Sequence, residues 1–217
     1  MKIINYKIYK ANQHKFKSQI YSLKEVYSIF QKLKGNSNIV STSFMLFHLY
    51  NLIPAIEKNR IISYGVCILL GYKFNDRQYS LNEILQEVSS YFAEEIKDNT
   101  ILECIKTQEI YFLLYLNFSF DFNHFYNEFY IYANDFMLEK NLVSMGHTIL
   151  NDSFFIPLFL IFKVDTILMA VYFITFQLTN ETNNSFYVFI KSCMKNNKDI
   201  ELCANEIIDL YIEDFDL

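Results

Sequence analysis

The chain has 217 residues, 52% of them hydrophobic and 18% aromatic, with a formal net charge of −5. That is long enough for a sizeable core and too apolar for a disordered chain, and the acidic balance argues against a large nucleic-acid footprint, which needs a basic field. Only 4 Gly and 2 Pro are present, too few for the turns of an all-β protein, and long stretches of helical apolar period predict an all-α fold.

Residues 1–20 hold Lys2, Lys7, Lys10, Lys15 and Lys17 with no acid. This basic stretch lacks the Arg of a transit peptide and the apolar run of a signal peptide. It reads as an arm or an N-terminal helix, packed through Ile3, Ile4, Tyr6, Ile8 and Tyr9. Ser22 with Glu25 has the spacing of a capping box, so a helix is expected to start there, carry Val26, Ile29, Phe30 and Leu33 on one face, and stop at Gly35. After an Asn36–Asn38 loop, a second helix is expected over Ser41–Ile53, in which His48 has no companion for ligation. Arg60–Phe74 is apolar almost all round and should be central, with Gly65 and Gly71 permitting close helix approach. Ser80 and Glu83 again match a capping box, opening a helix to about Lys97. A fifth helix starts at Thr100 and runs into an extended exit near Phe120.

The pattern then restarts. Helices are expected over Phe122–Leu138 and Leu142–Leu160, then from an Asp165 cap over Ile167–Leu178, and finally over Ser185–Met194 and Asp199–Ile212. The two all-apolar helices lie roughly a hundred residues apart, far beyond solenoid periods, which fits a tandem pair of small all-α modules. The acidic tail of Glu213, Asp214 and Asp216 is expected to fray. Phe154–Leu178 is hydrophobic, but Lys163 and Asp165 interrupt it. Each uncharged piece falls short of the roughly 18 residues a membrane span requires, and two core helices joined by a polar turn is the simpler reading.

Chemistry-bearing motifs are absent. There is no G-x-G-x-x-G, P-loop, H-E-x-x-H or G-x-S-x-G pattern, and the histidines His14, His48, His124 and His147 are dispersed. Cys67, Cys104, Cys193 and Cys203 show no C-x-x-C spacing and read as reduced thiols of an intracellular protein. One feature stands out. Ile105, Phe112, Leu113 and Leu116 share a helical stripe, and Glu109 lies on it; Ile62, Val66, Leu69 and Leu70 form another, which Lys73 continues. Opposite charges in two apolar seams fit a shared site. They also fit an ordinary solvated Glu together with a Lys that complements a helix C-terminus.

Several segments resemble the cyclin family. Leu69-Leu70-Gly71-Tyr72-Lys73-Phe74 is similar to the end of the third helix of a first cyclin box. Glu109, Leu113, Leu116 and Phe118 follow the Glu-x-x-x-Leu-x-x-Leu-x-Phe pattern of its fifth helix. Ile149-Leu150-Asn151-Asp152-Ser153, followed by Leu158-Phe159-Leu160-Ile161-Phe162, resembles the second box of transcription-type cyclins of the K, L and T kinds. The chain departs from the family at Asn75-Asp76, where an acidic pair is usual, at Gly71 and Tyr72 in a helix usually rich in Ala, and at Val164 and Leu168. It also lacks a Met-Arg-x-x-Leu substrate-docking motif.

The resemblance implies an N-terminal arm or helix over residues 1–20, a first cyclin box over 21–120 and a second over 121–217. It implies a nuclear, non-catalytic regulatory subunit that forms a heterodimer with a cyclin-dependent Ser/Thr kinase and activates it allosterically. It implies no cofactor, no metal, no small-molecule substrate, no membrane and no direct nucleic acid. Lys73 and Glu109 would anchor the kinase's mobile regulatory helix, with Leu70, Phe74, Leu113, Phe118 and Phe120 as the apolar surround. Gln177 stands near the position equivalent to Lys73 in the second repeat, so the first repeat should hold the main grip. The alternative is a general transcription factor resembling factor IIB, which would bind DNA and basal factors.

Overall fold

The computed structural model describes residues 4–54, 59–92, 99–118 and 124–214, and among these residues all regular structure is helical. The helices are α1 (Tyr6–Ala11), α2 (Gln13–Leu33), α3 (Ser37–Leu52), α4 (Arg60–Phe74), α5 (Leu81–Phe92), α6 (Asn99–Tyr115), α7 (His124–Asp135), α8 (Lys140–Ser153), α9 (Val164–Thr179), α10 (Ser185–Asn196) and α11 (Lys198–Asp214), with a short 3₁₀ turn at Leu158–Leu160. The all-α expectation holds. No helix among the described residues is long and apolar enough to cross a membrane. The hydrophobic stretch after Ser153 breaks into turns around Pro157 before α9 begins.

The chain forms two compact units. One comprises residues 17–122; the other comprises 123–217 together with 1–16. In the first, α4 is the centre. Every residue from Ile61 to Tyr72 is buried, and α4 packs on α3, α5 and α6. A helix without a polar face is stable only when enclosed. Its glycines set how closely the neighbours come. At Gly71 a Cβ would overlap the Ser43 hydroxyl and lie 3.1 Å from the Ile39 carbonyl oxygen, while at Gly65 it would lie 2.6 Å from Ile105. The α2 helix joins through polar ends: Tyr64 donates to Glu25 at 2.5 Å and Tyr72 to the Leu33 carbonyl at 3.0 Å. His48 is fully buried and pairs through Nδ1 with Gln19 at 2.9 Å.

In the second unit α9 takes the central place, packed by α7, α8, α10 and α11. Tyr172 stacks on Phe129 at 4.8 Å, and its hydroxyl donates to the Phe129 carbonyl at 2.8 Å. The N-terminal residues belong here. Ile4 donates to the Leu160 carbonyl at 2.9 Å. The buried Glu206 carboxylate of α11 accepts from Tyr6 at 2.6 Å and pairs with Lys10 at 2.6 Å. Burial and this carboxylate push the Tyr6 hydroxyl pKa well above its ordinary value.

Several boundaries differ from expectation. The first long helix starts at Gln13 and not at Ser22, because Glu25 is used by Arg60 and Tyr64 of α4 and so is not available to complete a local cap. Asn36 caps α3 by accepting from the Ile39 amide, so that helix starts at Ser37. Helix α8 ends at Ser153 instead of Leu160. Asp165 lies in the first turn of α9 and accepts from Tyr132 at 3.1 Å, while Lys163 occupies the cap position. The Ser80 capping box is formed as expected, with Ser80 Oγ accepting from the Glu83 amide at 3.1 Å.

The scarcity of glycine has a structural answer. Helix-closing turns place Lys34, Asp76, Asn117, Met137 and Asn180 at positive φ. In each, the next residue's amide bonds back to the last turn, as Gly35 does to Phe30 at 3.2 Å and Leu138 to Ala133 at 2.9 Å. Gly35, expected as the stop, has an ordinary φ and instead lets the chain pass over the Phe30 ring.

Three measurements check this packing. Gly71→Ala displaces the Ser43 hydroxyl from its bond to the Ile39 carbonyl and crowds that carbonyl, and should lower urea stability by about 1–3 kcal/mol. Met137 is 89% exposed with φ 48°, so Met137→Gly relieves left-handed strain and should raise stability by about 0.5–1 kcal/mol. Burial raises the hydroxyls of Tyr64, Tyr72 and Tyr132 from 10 to about 12. Their contribution is full below the unfolded pKa and lost as pH rises from about 10 towards 12, so the urea midpoint should fall in that window.

Candidate functional site

Lys73 lies in the last turn of α4, where the fully buried helix first reaches solvent. Its neighbours on the inner stripe, Ile62, Val66, Leu69 and Leu70, are all buried. On α6, Ile105 and Phe112 are buried against the core with Glu109 between them. The two stripes face one another where α4 and α6 pack, and Lys73 Nζ donates to Glu109 Oε1 at 2.5 Å. Glu109 is 8% exposed as a residue, whereas the Lys73 side chain is 53% exposed. The pair therefore sits at the edge of the core. Lysine shields a carboxylate whose burial would otherwise be costly, while its own head remains reachable from outside.

An open depression of about 630 Å³ adjoins Lys73, lined also by Leu69, Tyr72, Arg77 and Tyr79 among others. Two of its lining residues, Tyr72 and Tyr79, hold their rings 4.7 Å apart. The ammonium has further donors and the carboxylate further lone pairs. The pair can thus serve a backbone carbonyl and amide of an incoming segment without being broken.

The expected apolar surround separates by depth. Leu70 is 1% exposed, so it contributes no surface. Phe74 and Leu113 are partly exposed. Phe118 is 64% exposed, beyond the α6 terminus, held by its amide bond to the Leu113 carbonyl at 3.0 Å. Residues 116–118 close α6 in a turn; Phe120 and the extended exit expected near it lie outside the described residues. The sequence reading missed the far side of α6, where Ile110, Tyr111, Leu114 and Tyr115 are exposed. Its signal was available: α6 is apolar on two opposite faces over its last turns. In the second unit Gln177 donates to the Tyr187 hydroxyl.

No group of three His, Cys, Asp or Glu among the described residues is placed to hold a metal. Cys67 and Cys203 are fully buried, which pushes both thiols up and away from the reactive thiolate.

The pair's energetic role is measurable. Lys73→Met strands Glu109 and should cost about 1–2 kcal/mol in urea unfolding, less than a deeply buried pair because the lysine is half exposed. Glu109→Gln removes the charge that needs a partner and should cost clearly less. Equal or negligible losses would show the pair to be open in solution.

In comparisons with known proteins, no family model matches the chain and no curated protein matches it.

Proposed function

We propose that the chain is a cyclin-type regulatory subunit, built from two cyclin-box repeats, that binds a cyclin-dependent Ser/Thr kinase of transcription type as a heterodimer and activates it allosterically in the nucleus. It performs no chemistry itself. The observation that carries this reading is the ion pair of Lys73 and Glu109, closed at 2.5 Å between α4 and α6 at a half-exposed rim. The sequence resemblance assigns those two residues, thirty-six positions apart, to one anchor. Two all-helical units, each with an enclosed central helix, accord with the same reading.

Lys73 and Glu109 hydrogen-bond polar groups of the kinase's regulatory helix. Phe74, Leu113 and Phe118 cover its apolar side, while Leu70 stays buried. Binding selects the kinase state in which that helix is turned in and its catalytic Lys–Glu pair is formed. Truncating a central anchor in such an interface costs on the order of 2 kcal/mol, or about thirtyfold in Kd.

The test exchanges the two charges. Lys73→Glu combined with Glu109→Lys retains an internal pair, so the isolated chain should still unfold cooperatively, yet it presents the wrong polarity and should abolish activation of a kinase recovered with the wild-type chain. Normal activation by the exchanged chain would remove the site assignment. Salt-sensitive retention on DNA with no kinase recovered would replace the reading with a factor IIB-like one.

A further inference from the structure

The outer face of α6 carries a second stripe that the proposed kinase grip leaves mostly unused. Ile110, Tyr111, Leu114, Tyr115 and Phe118 are between 53 and 64% exposed. By the 3.6-residue period the four helical ones, Ile110, Tyr111, Leu114 and Tyr115, lie away from Ile105, Glu109 and Phe112, which face the core. Such positions on a surface helix are normally polar. Here no residue from 110 to 118 carries a charge. The five side chains together leave on the order of 600 Å² open to solvent, at the upper end for the largest patch of a monomer.

The arrangement is specific as well as large. Ile110 and Leu114 form one row at four-residue spacing, Tyr111 and Tyr115 form a second, and Phe118 follows in the turn beyond the helix end. Rows of this spacing on two helices interdigitate at an interaxial angle near −50°, the commonest mode of helix packing. A stripe without charge offers nothing to complement a charged partner, but it matches an identical stripe turned by a two-fold axis. Two such faces would bury on the order of 1,200 Å², the lower bound of a specific interface.

We propose that the outer face of α6 is a homodimer surface, on which a second copy of this chain packs its own α6 about a two-fold axis near Leu114. The inference does not rest on the kinase reading, since Ile110, Tyr111, Leu114 and Tyr115 lie on the side of α6 away from Glu109; Phe118 alone is shared with the proposed grip.

Sedimentation of the full chain from about 1 to about 100 µM tests it. The expected result is a monomer–dimer equilibrium within that range. Leu114→Arg places two like charges at the axis and should shift the midpoint at least tenfold to higher concentration. Ile110→Lys, an exposed change one turn away, should do the same if Leu114→Arg fails to fold. Val188→Arg, at a comparably exposed site on α10 (60%), should leave association unchanged. A wild-type monomer throughout the range would overturn the proposal, as would a dimer indifferent to the α6 changes or one abolished by Val188→Arg alone.

Discussion

A helix with no polar face dictates the rest of the first unit. Residues 61–72 of α4 are all buried, so the chain must supply neighbours on every side, and α3, α5 and α6 provide them. The two glycines of α4 bring α3 and α6 in close, as the overlap a Cβ would make with Ser43 and with Ile105 shows. The enclosure ends at Lys73. There the helix turns outward, and the first exposed cation lies over the one carboxylate that α6 holds in its inner seam. The site is thus a consequence of where an enclosed helix has to stop.

That origin bears on function. A charge pair at the end of a rigid, enclosed helix is held by packing and not by loop geometry, which suits an anchor that must recognise backbone groups at fixed spacing. The adjoining depression supplies aromatic surface through Tyr72 and Tyr79. In the second unit the enclosed helix α9 ends at an uncharged Gln177 bound to Tyr187.

Much of this was legible in the sequence where local signals were not contested. The α4 boundaries follow from its unbroken apolar run, and Ser80 with Glu83 forms the box its spacing announces. The lone charges at positions 73 and 109 pointed to each other because each interrupted an apolar seam. Signals failed where tertiary partners competed. Ser22 and Glu25 look like a cap, but Glu25 serves Arg60 and Tyr64. At Gly35 the helix does stop, after Leu33, although Lys34 and not the glycine takes the left-handed turn. Depth was not legible either. In a helix apolar all round, periodicity cannot separate Leu70, which is buried, from a neighbour that reaches the surface, and the second apolar face of α6 is hidden behind the stronger first one.

The central claim is that a kinase docks on the rim formed by α4 and α6. Hydrogen–deuterium exchange of the chain, alone and with each member of a panel of purified cyclin-dependent kinases, tests it most directly. The account predicts that one kinase binds and that protection concentrates on residues 70–77 and 109–118, leaving α9 and α10 unchanged. Binding by none of the kinases, or protection confined to α9 and α10, would contradict it.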